Sequence, residues 1–265
     1  MNSEETTMLT TTQIFDRIYA GFIGKAIGVR LGAPVEPTIW SYDRIRNTYG
    51  EVTQYLRDFK NFAADDDTNG PVYFIRALRD YGLKATAADV GRTWLNYAAE
   101  EHGMYWWGGF GNSTEHTAYK NLKSGMEAPE SGSIATNGTT VAEQIGGQIF
   151  IDSWGWVNPG NPQRAAQMSA MAASVAHDGD GLNGARFCAA AIAQAFVAGS
   201  IDEIVETGLS TIDANSTYAR VARAVIDFHK ANPADWRLCR DMLTADWGYD
   251  RYPGVCHIIP NAGVT

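Results

Sequence analysis

The feature that most restricts the fold is the spacing of the apolar residues, which recur every three or four positions through much of the chain. The first example is the set Ile14, Ile18, Phe22 and Ala26, which share one face of a helix. Strict alternation of apolar and polar residues, the pattern of a half-buried strand, is scarce. Two later segments are rich in alanine, the strongest helix former. The sequence therefore predicts an all-α protein, a compact bundle of many helices.

Local signals predict where some helices begin. Thr11 or Thr12 is expected to cap the first helix, and Pro71 is expected to stand at the first position of another. Thr140 and Glu143 have the spacing of a capping box, which predicts a helix over residues 140–154. Residues 101–138 form the longest segment with irregular character. Such a long loop-rich segment in a compact domain is usually functional or mobile.

Composition and charge exclude several classes of protein. Hydrophobic residues make up 45% and charged residues 19% of the 265, as in soluble globular proteins. The net charge of -9 argues against non-specific nucleic-acid binding, which needs a basic surface. The N-terminus does not resemble a signal peptide, and no apolar run is long enough to span a bilayer. The three cysteines, odd in number and far apart, form neither a disulfide framework nor a zinc pattern, so a cytoplasmic protein is expected.

Three aspartates, Asp65, Asp66 and Asp67, stand side by side and are followed by Thr68. Carboxylate and hydroxyl oxygens are the ligands that hard divalent cations prefer, and a short turn can aim several of them at one point. The alternative is a solvated acidic loop that only caps the next helix. Apolar residues on both sides make full exposure of the charges costly, so the sequence leaves the two interpretations balanced.

Glu36 lies on a stiff connection between Val35 and Pro37, after a helix that carries glycine at every fourth position. A carboxylate on a rigid turn with apolar neighbours is a candidate general base. The alternative is an ordinary surface glutamate, and the residues around Glu36, taken alone, favour that interpretation.

The segment 104–119 combines aromatic residues, glycines and polar residues. The aromatic rings could stack on a nucleobase, and the glycines let the backbone approach a ligand. Polar contacts could come from Asn112, Ser113, Thr114, Glu115 and His116. The alternative is that the aromatic rings fill the core beneath a long loop. The candidate substrate-binding residues here are Trp106, Trp107, Gly108, Gly109, Phe110 and His116.

The segment 174–187 places His177, Asp178, Gly179 and Asp180 between two expected helices. An EF-hand calcium loop is excluded because the glutamate that would complete it is missing. A helix N-terminus after a glycine-rich turn can bind phosphate. The alternative is a plain turn between helices with a capping residue.

Taken in order, "GFIGKAIGVRLGAPVE", "DDDT", "TEHTAYKNLKSG", "SVAHDGDG" and "CHIIPNA" resemble the ADP-ribosylglycohydrolase family, which includes the dinitrogenase-reductase-activating glycohydrolase. The resemblance extends from about residue 13 to the end of the chain. It implies an all-α fold of a dozen or more helices around a central metal cleft. It also implies two Mg²⁺ ions and hydrolysis of the bond between ADP-ribose and an acceptor on a protein or small molecule.

The resemblance assigns roles to the candidate residues. Asp65, Asp66 and Asp67 fall on the family's first metal motif, with Thr68 as a further ligand. Glu36 falls on the glutamate that closes the family's N-terminal motif and, with Asp66, is expected to be catalytic.

The remaining candidates are expected on the substrate side of the site. The aromatic residues of segment 104–119 would stack on adenine, and the turns near Gly108 and Gly179 would meet the pyrophosphate. His116 and the pair His177–Asp178 would line the substrate rather than the metals, because histidine is a poor ligand for Mg²⁺.

The chain departs from the family pattern at its second metal motif, which should follow "HIIPNA". The nearest candidate, "HDGDGLNG", lacks the threonine of that motif. The expectation is therefore a flexible segment 1–12 and a family domain 13–265 that is truncated, hydrolyses poorly by itself and exposes apolar surface near "GVCHIIPNAGV". A non-catalytic ADP-ribose-binding module and a purely structural helical domain remain as alternatives. The acceptor atom and the oligomeric state stay open.

Overall fold

A computed structural model of the protein describes residues 9–36, 39–58, 65–103, 105–254 and 256–265. These residues form α-helices and short 3₁₀ turns, and they contain no strand beyond the isolated bridges Ala99–His102 and Gln144–His257. The predicted all-α fold is therefore confirmed. Over the same residues, no helix has both the length and the apolar character needed to cross a bilayer.

The chain divides into two compact units, Met1–Ala63 and Ala64–Thr265. The first contains α1 (Thr11–Gly32), a 3₁₀ turn (Ala33–Val35) and α2 (Tyr42–Tyr49). Neither α1 nor α2 has a buried residue. The N-cap residue of α1 is Thr10, rather than Thr11 or Thr12. The Thr10 hydroxyl oxygen accepts the backbone N–H of Gln13, and Gln13 Oε1 accepts the backbone N–H of Thr10, as in a capping box.

The second unit contains the remaining helices. They are α3 (Asp66–Tyr81), α4 (Ala87–Tyr97), α5 (Thr114–Lys123), α6 (Ile134–Asn137), α7 (Thr139–Ala142), α8 (Gly146–Ile149), α9 (Asp152–Trp156), α10 (Pro162–Ala173), α11 (Asp180–Ala195), α12 (Ile201–Leu209), α13 (Thr217–Ala231), α14 (Trp236–Trp247) and α15 (Ile258–Ala262). Two further 3₁₀ turns span Gly82–Lys84 and Glu130–Gly132.

The core of the second unit is built on the alanine-rich pair α10 and α11. Ala165 and Ala172 of α10 and Ala189 of α11 are fully buried. The Ser169 hydroxyl of α10 donates to the Ala185 carbonyl oxygen of α11 at 3.0 Å, which shows how closely the two helices approach. Small side chains permit this approach, and large ones fill the space around the pair. The largest fully buried residues are Trp94, Trp154, Tyr218, Phe150, Ile151 and Ile258.

The helix predicted over residues 140–154 is wrong, because this stretch forms the short helices α7, α8 and α9. The first of these helices, α7, ends before Glu143, whose φ of -103° and ψ of 33° lie outside the helical region. Glu143 does not cap a helix here. Its Oε1 instead accepts a hydrogen bond from the backbone N–H of Asp180 at 2.8 Å. Glu143 has the spacing of a capping-box residue, but its side chain makes a tertiary contact instead.

Two other local predictions are corrected. The helix that contains Pro71 begins five residues earlier, at Asp66, so that the acidic run is the first turn of α3 rather than a loop. The segment 101–138, expected to be irregular, contains α5, most of whose residues are buried. Burial stabilises this helix although its sequence shows no long apolar period.

Candidate active site

The acidic run opens α3. Asp65 is the N-cap residue, and its Oδ1 accepts the backbone N–H of Asp67 at 3.0 Å. The Thr68 hydroxyl donates to the carbonyl oxygen of Asp65 at 3.0 Å. Asp66 and Asp67 form the first helical turn, where negative charge interacts favourably with the helix dipole. Helix capping alone therefore accounts for part of this sequence.

The three carboxylates also form a group that can hold a cation. One oxygen from each of Asp65, Asp66 and Asp67 lies within 4.8 Å of the others, and all three residues are half-buried. Hard oxygen donors in this number suit Mg²⁺, which takes one or two carboxylates and completes its shell with water or substrate. The donor set therefore fits the metal that the resemblance implies.

The charge of Asp66 acts on neighbouring groups in the same unit. Burial first, and then the negative charge of Asp66, raise the pKa of Glu115 to about 7. Burial also raises the pKa of the Cys256 thiol to about 12, with smaller contributions from Glu115 and Asp66. The negative charge of Asp66 thus acts on its surroundings at the start of α3, and a bound cation would reduce that effect.

Residues 105–112 form a glycine-rich loop that is fastened to the first turns of α5. The N–H of Gly109 donates to His116 Nδ1 at 3.1 Å, and the N–H of Gly111 donates to the Thr117 hydroxyl at 2.8 Å. Gly109 adopts a φ of 106°, which other residues rarely adopt. The loop is therefore held by side chains of the helix that follows it.

The aromatic residues of this loop divide between core and surface. Trp107 packs edge-to-face on His116 and on Tyr119, with ring centroids 5.3 Å apart in both pairs. The Trp106 indole lies over Gly108, where a Cβ would come within 2.4 Å of it. Phe110 is 66% exposed. Trp107 thus performs the core role that the sequence left open, whereas Phe110 is accessible to a ligand.

His116 is hydrogen-bonded through both ring nitrogens. Nδ1 accepts from Gly109, so Nε2 carries the hydrogen and donates to Glu100 Oε1 at 3.0 Å. Hydrogen bonds from Lys120 first, and then from His116, lower the pKa of Glu100 to about 2. His116 is placed to hold the loop, and its predicted contact with substrate stays a prediction.

The segment 141–146 joins three parts of the unit that are distant in sequence. Gln144 Oε1 accepts from the Thr114 N–H at 3.2 Å, and Gln144 Nε2 donates to the Asn112 carbonyl oxygen at 2.7 Å. The Ala142 carbonyl oxygen accepts the N–H of Asp178 at 3.2 Å. The N–H of Ile145 donates to the Cys256 carbonyl oxygen at 2.8 Å. We call residues 141–146 the hub.

The predicted motif His177–Asp178–Gly179–Asp180 lies against the hub. His177 Nδ1 donates to the Ala142 carbonyl oxygen at 3.2 Å, which leaves Nε2 as an acceptor with no hydrogen-bond partner among the described residues. Burial lowers the pKa of His177 to about 4. Asp178 accepts the N–H groups of Ile134 at 3.0 Å and Gly179 at 2.7 Å. The histidine is therefore neutral and unsatisfied.

Asp180 bridges two helices. Its Oδ1 accepts from Asn183 of α11 at 2.9 Å and from the N–H of Tyr218, in the first turn of α13, at 3.3 Å. These contacts give Asp180 a role in holding α13. Its predicted contact with substrate stays a prediction.

Gly146 brings His177 and Glu115 together. A Cβ on Gly146 would lie 2.8 Å from His177 Nε2 and 3.0 Å from Glu115 Oε1. Two buried polar atoms thus lie next to a position where any side chain larger than that of glycine would meet them. The sequence analysis named Glu115 only as one of several polar residues of its segment, and it did not single out Gln144 or Gly146. The pattern of these residues in one sequence carries no signal of their burial.

A cleft of about 750 Å³ opens beside His177 and Asp178. Ser133, Ser174 and Arg186 form part of its polar wall. Two residues predicted on the substrate side therefore line a cleft that is large enough for a small ligand.

The C-terminal segment is packed, contrary to the expectation of exposed apolar surface around "GVCHIIPNAGV". Ile258 and Ile259 are buried, and the N–H of Ile258 donates to the Glu143 carbonyl oxygen at 2.8 Å. His257 is also buried, with Nε2 3.4 Å from Glu143 Oε2. Backbone bonds to the hub bury these apolar side chains, although Val264 remains exposed.

Glu36 belongs to the first unit. It follows the 3₁₀ turn Ala33–Val35 as its C-cap residue and is exposed. The stiff connection predicted around Glu36 stays a prediction, because Pro37 lies outside the described residues.

Comparison with known proteins identifies the family of the chain. The ADP-ribosylglycohydrolase family model matches residues 10–263, nearly the whole sequence. No curated protein and no solved structure matches. Because the family model spans both units, including the acidic turn, the glycine-rich loop and the hub, the chain belongs to the ADP-ribosylglycohydrolase family and is a glycoside hydrolase that acts on ADP-ribose linkages.

Proposed function

We propose that this chain hydrolyses the glycosidic bond between ADP-ribose and an acceptor in a Mg²⁺-dependent reaction, with the metal held at the start of α3. The observation that carries the proposal is the convergence of Asp65, Asp66 and Asp67 within 4.8 Å. Acidic residues at a helix start are common as caps. The family match supports a further role here, because oxygen ligands that hold a metal ion can take part in the hydrolysis of an ADP-ribose linkage.

Asp66 and Asp67 would provide the main carboxylate ligands. Asp65 Oδ1 is already used by the N–H of Asp67, and the Thr68 hydroxyl hydrogen is used by the Asp65 carbonyl, which leaves the Thr68 lone pairs for a metal. When bound, Mg²⁺ supplies a fixed positive charge that can orient ribose hydroxyls and activate water. The family resemblance implies two such ions.

Glu36 is the proposed catalytic carboxylate, on the grounds of its place in the N-terminal motif. Breaking a glycosidic bond through an oxocarbenium-like state needs a base to take a proton from the attacking water. An exposed carboxylate on a short turn can perform this role once substrate covers it.

ADP-ribose would meet residues of the second unit. The exposed ring of Phe110 offers a stacking surface for adenine. His177 and Asp178, at the cleft, offer polar contacts to the remainder of the ligand. The family resemblance supports further contacts in the same unit. Adenine would stack on Trp106, and the pyrophosphate would meet the turns at Gly108, Gly109 and Gly179.

The experiment measures free ADP-ribose released from substrates that carry it on arginine or on serine, with Mg²⁺ or with a chelator. We expect release that requires Mg²⁺ and that falls strongly in Asp66→Asn and in Glu36→Gln. Release that continues at the same rate with a chelator would contradict the role of the metal. Loss of release in Asp66→Asn alone would contradict the role of Glu36.

A non-catalytic ADP-ribose-binding module is the second candidate. It is favoured by the observation that the acidic run is the only cluster of potential metal-ligating side chains found among the described residues. This candidate predicts that ADP-ribose binds, as measured by calorimetry, while no tested linkage is cleaved at saturating Mg²⁺.

A further inference from the structure

The hydroxyl of Ser113 makes three polar contacts at the N-cap of α5. Its Oγ accepts the backbone N–H of His116 at 3.1 Å, contacts the carbonyl oxygen of Trp106, and lies 2.9 Å from Glu115 Oε2. A serine hydroxyl has one hydrogen to donate and two lone pairs to accept with. The three contacts can therefore be assigned by counting hydrogens.

The carbonyl oxygen of Trp106 can only accept, so it receives the single Ser113 hydrogen. The N–H of His116 uses one lone pair of Ser113 Oγ. The contact with Glu115 is then a hydrogen bond only if Glu115 supplies the hydrogen. We propose that Glu115 is a neutral carboxylic acid in the folded protein, and that by donating from Oε2 to Ser113 Oγ it positions the glycine-rich loop.

The surroundings of Glu115 agree with this count. The side chain is 4% exposed, and an ionised carboxylate at such a site would need a positive partner or several hydrogen-bond donors. Burial first, and then the negative charge of Asp66, raise the pKa of Glu115, and they outweigh its contacts with its own backbone N–H and with Ser113, which act in the opposite direction. The side chains of Tyr105 and Cys256, which interact electrostatically with Glu115, are neutral because their own pKa values are raised. From the hub side it faces Gly146 and the neutral His177. None of these provides a positive charge.

The consequence concerns the loop that is proposed to bind ADP-ribose. Ser113 holds the carbonyl of Trp106 at one end of the loop, and His116 and Thr117 hold Gly109 and Gly111 further along. The proton of Glu115 completes this set of bonds. An ionised Glu115 would place two acceptor oxygens opposite each other at Ser113 and weaken the attachment. The link to ligand binding rests on the proposed function, whereas the protonation state does not.

The first test is infrared difference spectroscopy on the full chain at about pH 6, roughly one unit below the raised pKa. Glu115→Gln is compared with the unmodified protein. The carbonyl stretch of a protonated carboxylic acid should disappear from the variant. Glu127→Gln, at an exposed glutamate, is the control and should leave that region unchanged. A difference spectrum that shows loss of an ionised carboxylate instead would overturn the proposal.

The second test is ADP-ribose binding by calorimetry. Glutamine keeps a hydrogen-bond donor for Ser113, so Glu115→Gln should bind within about threefold of the unmodified protein, while Glu115→Ala should bind about tenfold or more weakly. Equal losses in both variants would show that charge at residue 115, rather than the bond to Ser113, matters. If the unmodified protein does not bind ADP-ribose at all, the proposed function fails while the infrared result still decides the state of Glu115.

Discussion

Asp66 acts both on the helix that it begins and on groups outside that helix. It belongs to the first turn of α3, and its negative charge contributes to the raised pKa of Glu115. Helix capping uses one carboxylate and tolerates others nearby, so it does not require three in succession. The proposed Mg²⁺ site would give all three carboxylates a use, and the residue-scale prediction tests that proposal.

Asp66→Asn should abolish most of the Mg²⁺-dependent rise in melting temperature and weaken Mg²⁺ binding about tenfold or more, because a charged ligand is lost. The measurement is a thermal melt across a Mg²⁺ titration. Asp202→Asn is the matched control, since Asp202 also lies in the first turn of a helix, α12, and is exposed. Equal loss of Mg²⁺ protection in both variants would indicate a general effect of charge.

His177 gives a prediction on pH. Burial lowers its pKa in the folded protein to about 4, below its ordinary value of 6.5, so the unfolded chain takes up the proton first as pH falls. Stability that is present above pH 6.5 should therefore decline towards pH 4, by about 2 kcal/mol at pH 5 for this residue alone. Urea unfolding at pH 7 and pH 5 measures the decline.

His177→Gln should reduce that decline, because glutamine keeps a donor for Ala142 and does not titrate. His229→Gln, at an exposed position near the end of α13, should leave the decline as it is in the unmodified protein. The assignment to His177 is wrong if both variants retain the full pH dependence.

At the scale of elements, the approach of α8 to the start of α11 depends on a missing side chain. A Cβ on Gly147 would lie 2.3 Å from the carbonyl oxygen of Gly181, a backbone atom that cannot rotate away. Gly147→Ala should therefore destabilise the protein by about 1–3 kcal/mol, through the strain of inserting a methyl group. Chemical denaturation measures this difference.

Gly28→Ala in α1 is the contrasting change. A Cβ there would meet no described atom within 4 Å, so the substitution should be neutral or stabilise the protein by about 0.5–1 kcal/mol through helix propensity. Opposite signs for the two alanines would confirm that packing, not propensity, sets the requirement at Gly147.

The same contrast explains what sequence could predict. The helical class and the alanine-rich helices α10 and α11 followed from period and propensity, which are local properties. The acidic run was found because three adjacent carboxylates are conspicuous. Glu143 was misassigned to a helix cap, since its partner Asp180 is remote in sequence. Gly146 was missed, and the burial of Glu115 was not predicted, because their approach to His177 depends on tertiary packing that one sequence does not display.

At the scale of the whole molecule, the buried core lies within the second unit. Its buried hydrophobic residues begin at Tyr73, whereas α1 and α2 have none. Hydrogen exchange of the full chain should therefore show rapid exchange of the α1 amides and slow exchange of the α11 amides. Protection of α1 equal to that of α11 would contradict this expectation.

The hub has a consequence for how the protein is made. Its bonds reach Asn112 and Thr114, then Asp178 and Asp180, and finally Cys256 and Ile258. On a ribosome these partners emerge in that order, so Glu143 and Ile145 must wait for the C-terminal segment before their last bonds can form. A nascent chain stalled before residue 256 should accordingly have the α10–α11 pair folded and the hub incomplete, which makes this contact among the last native steps of synthesis.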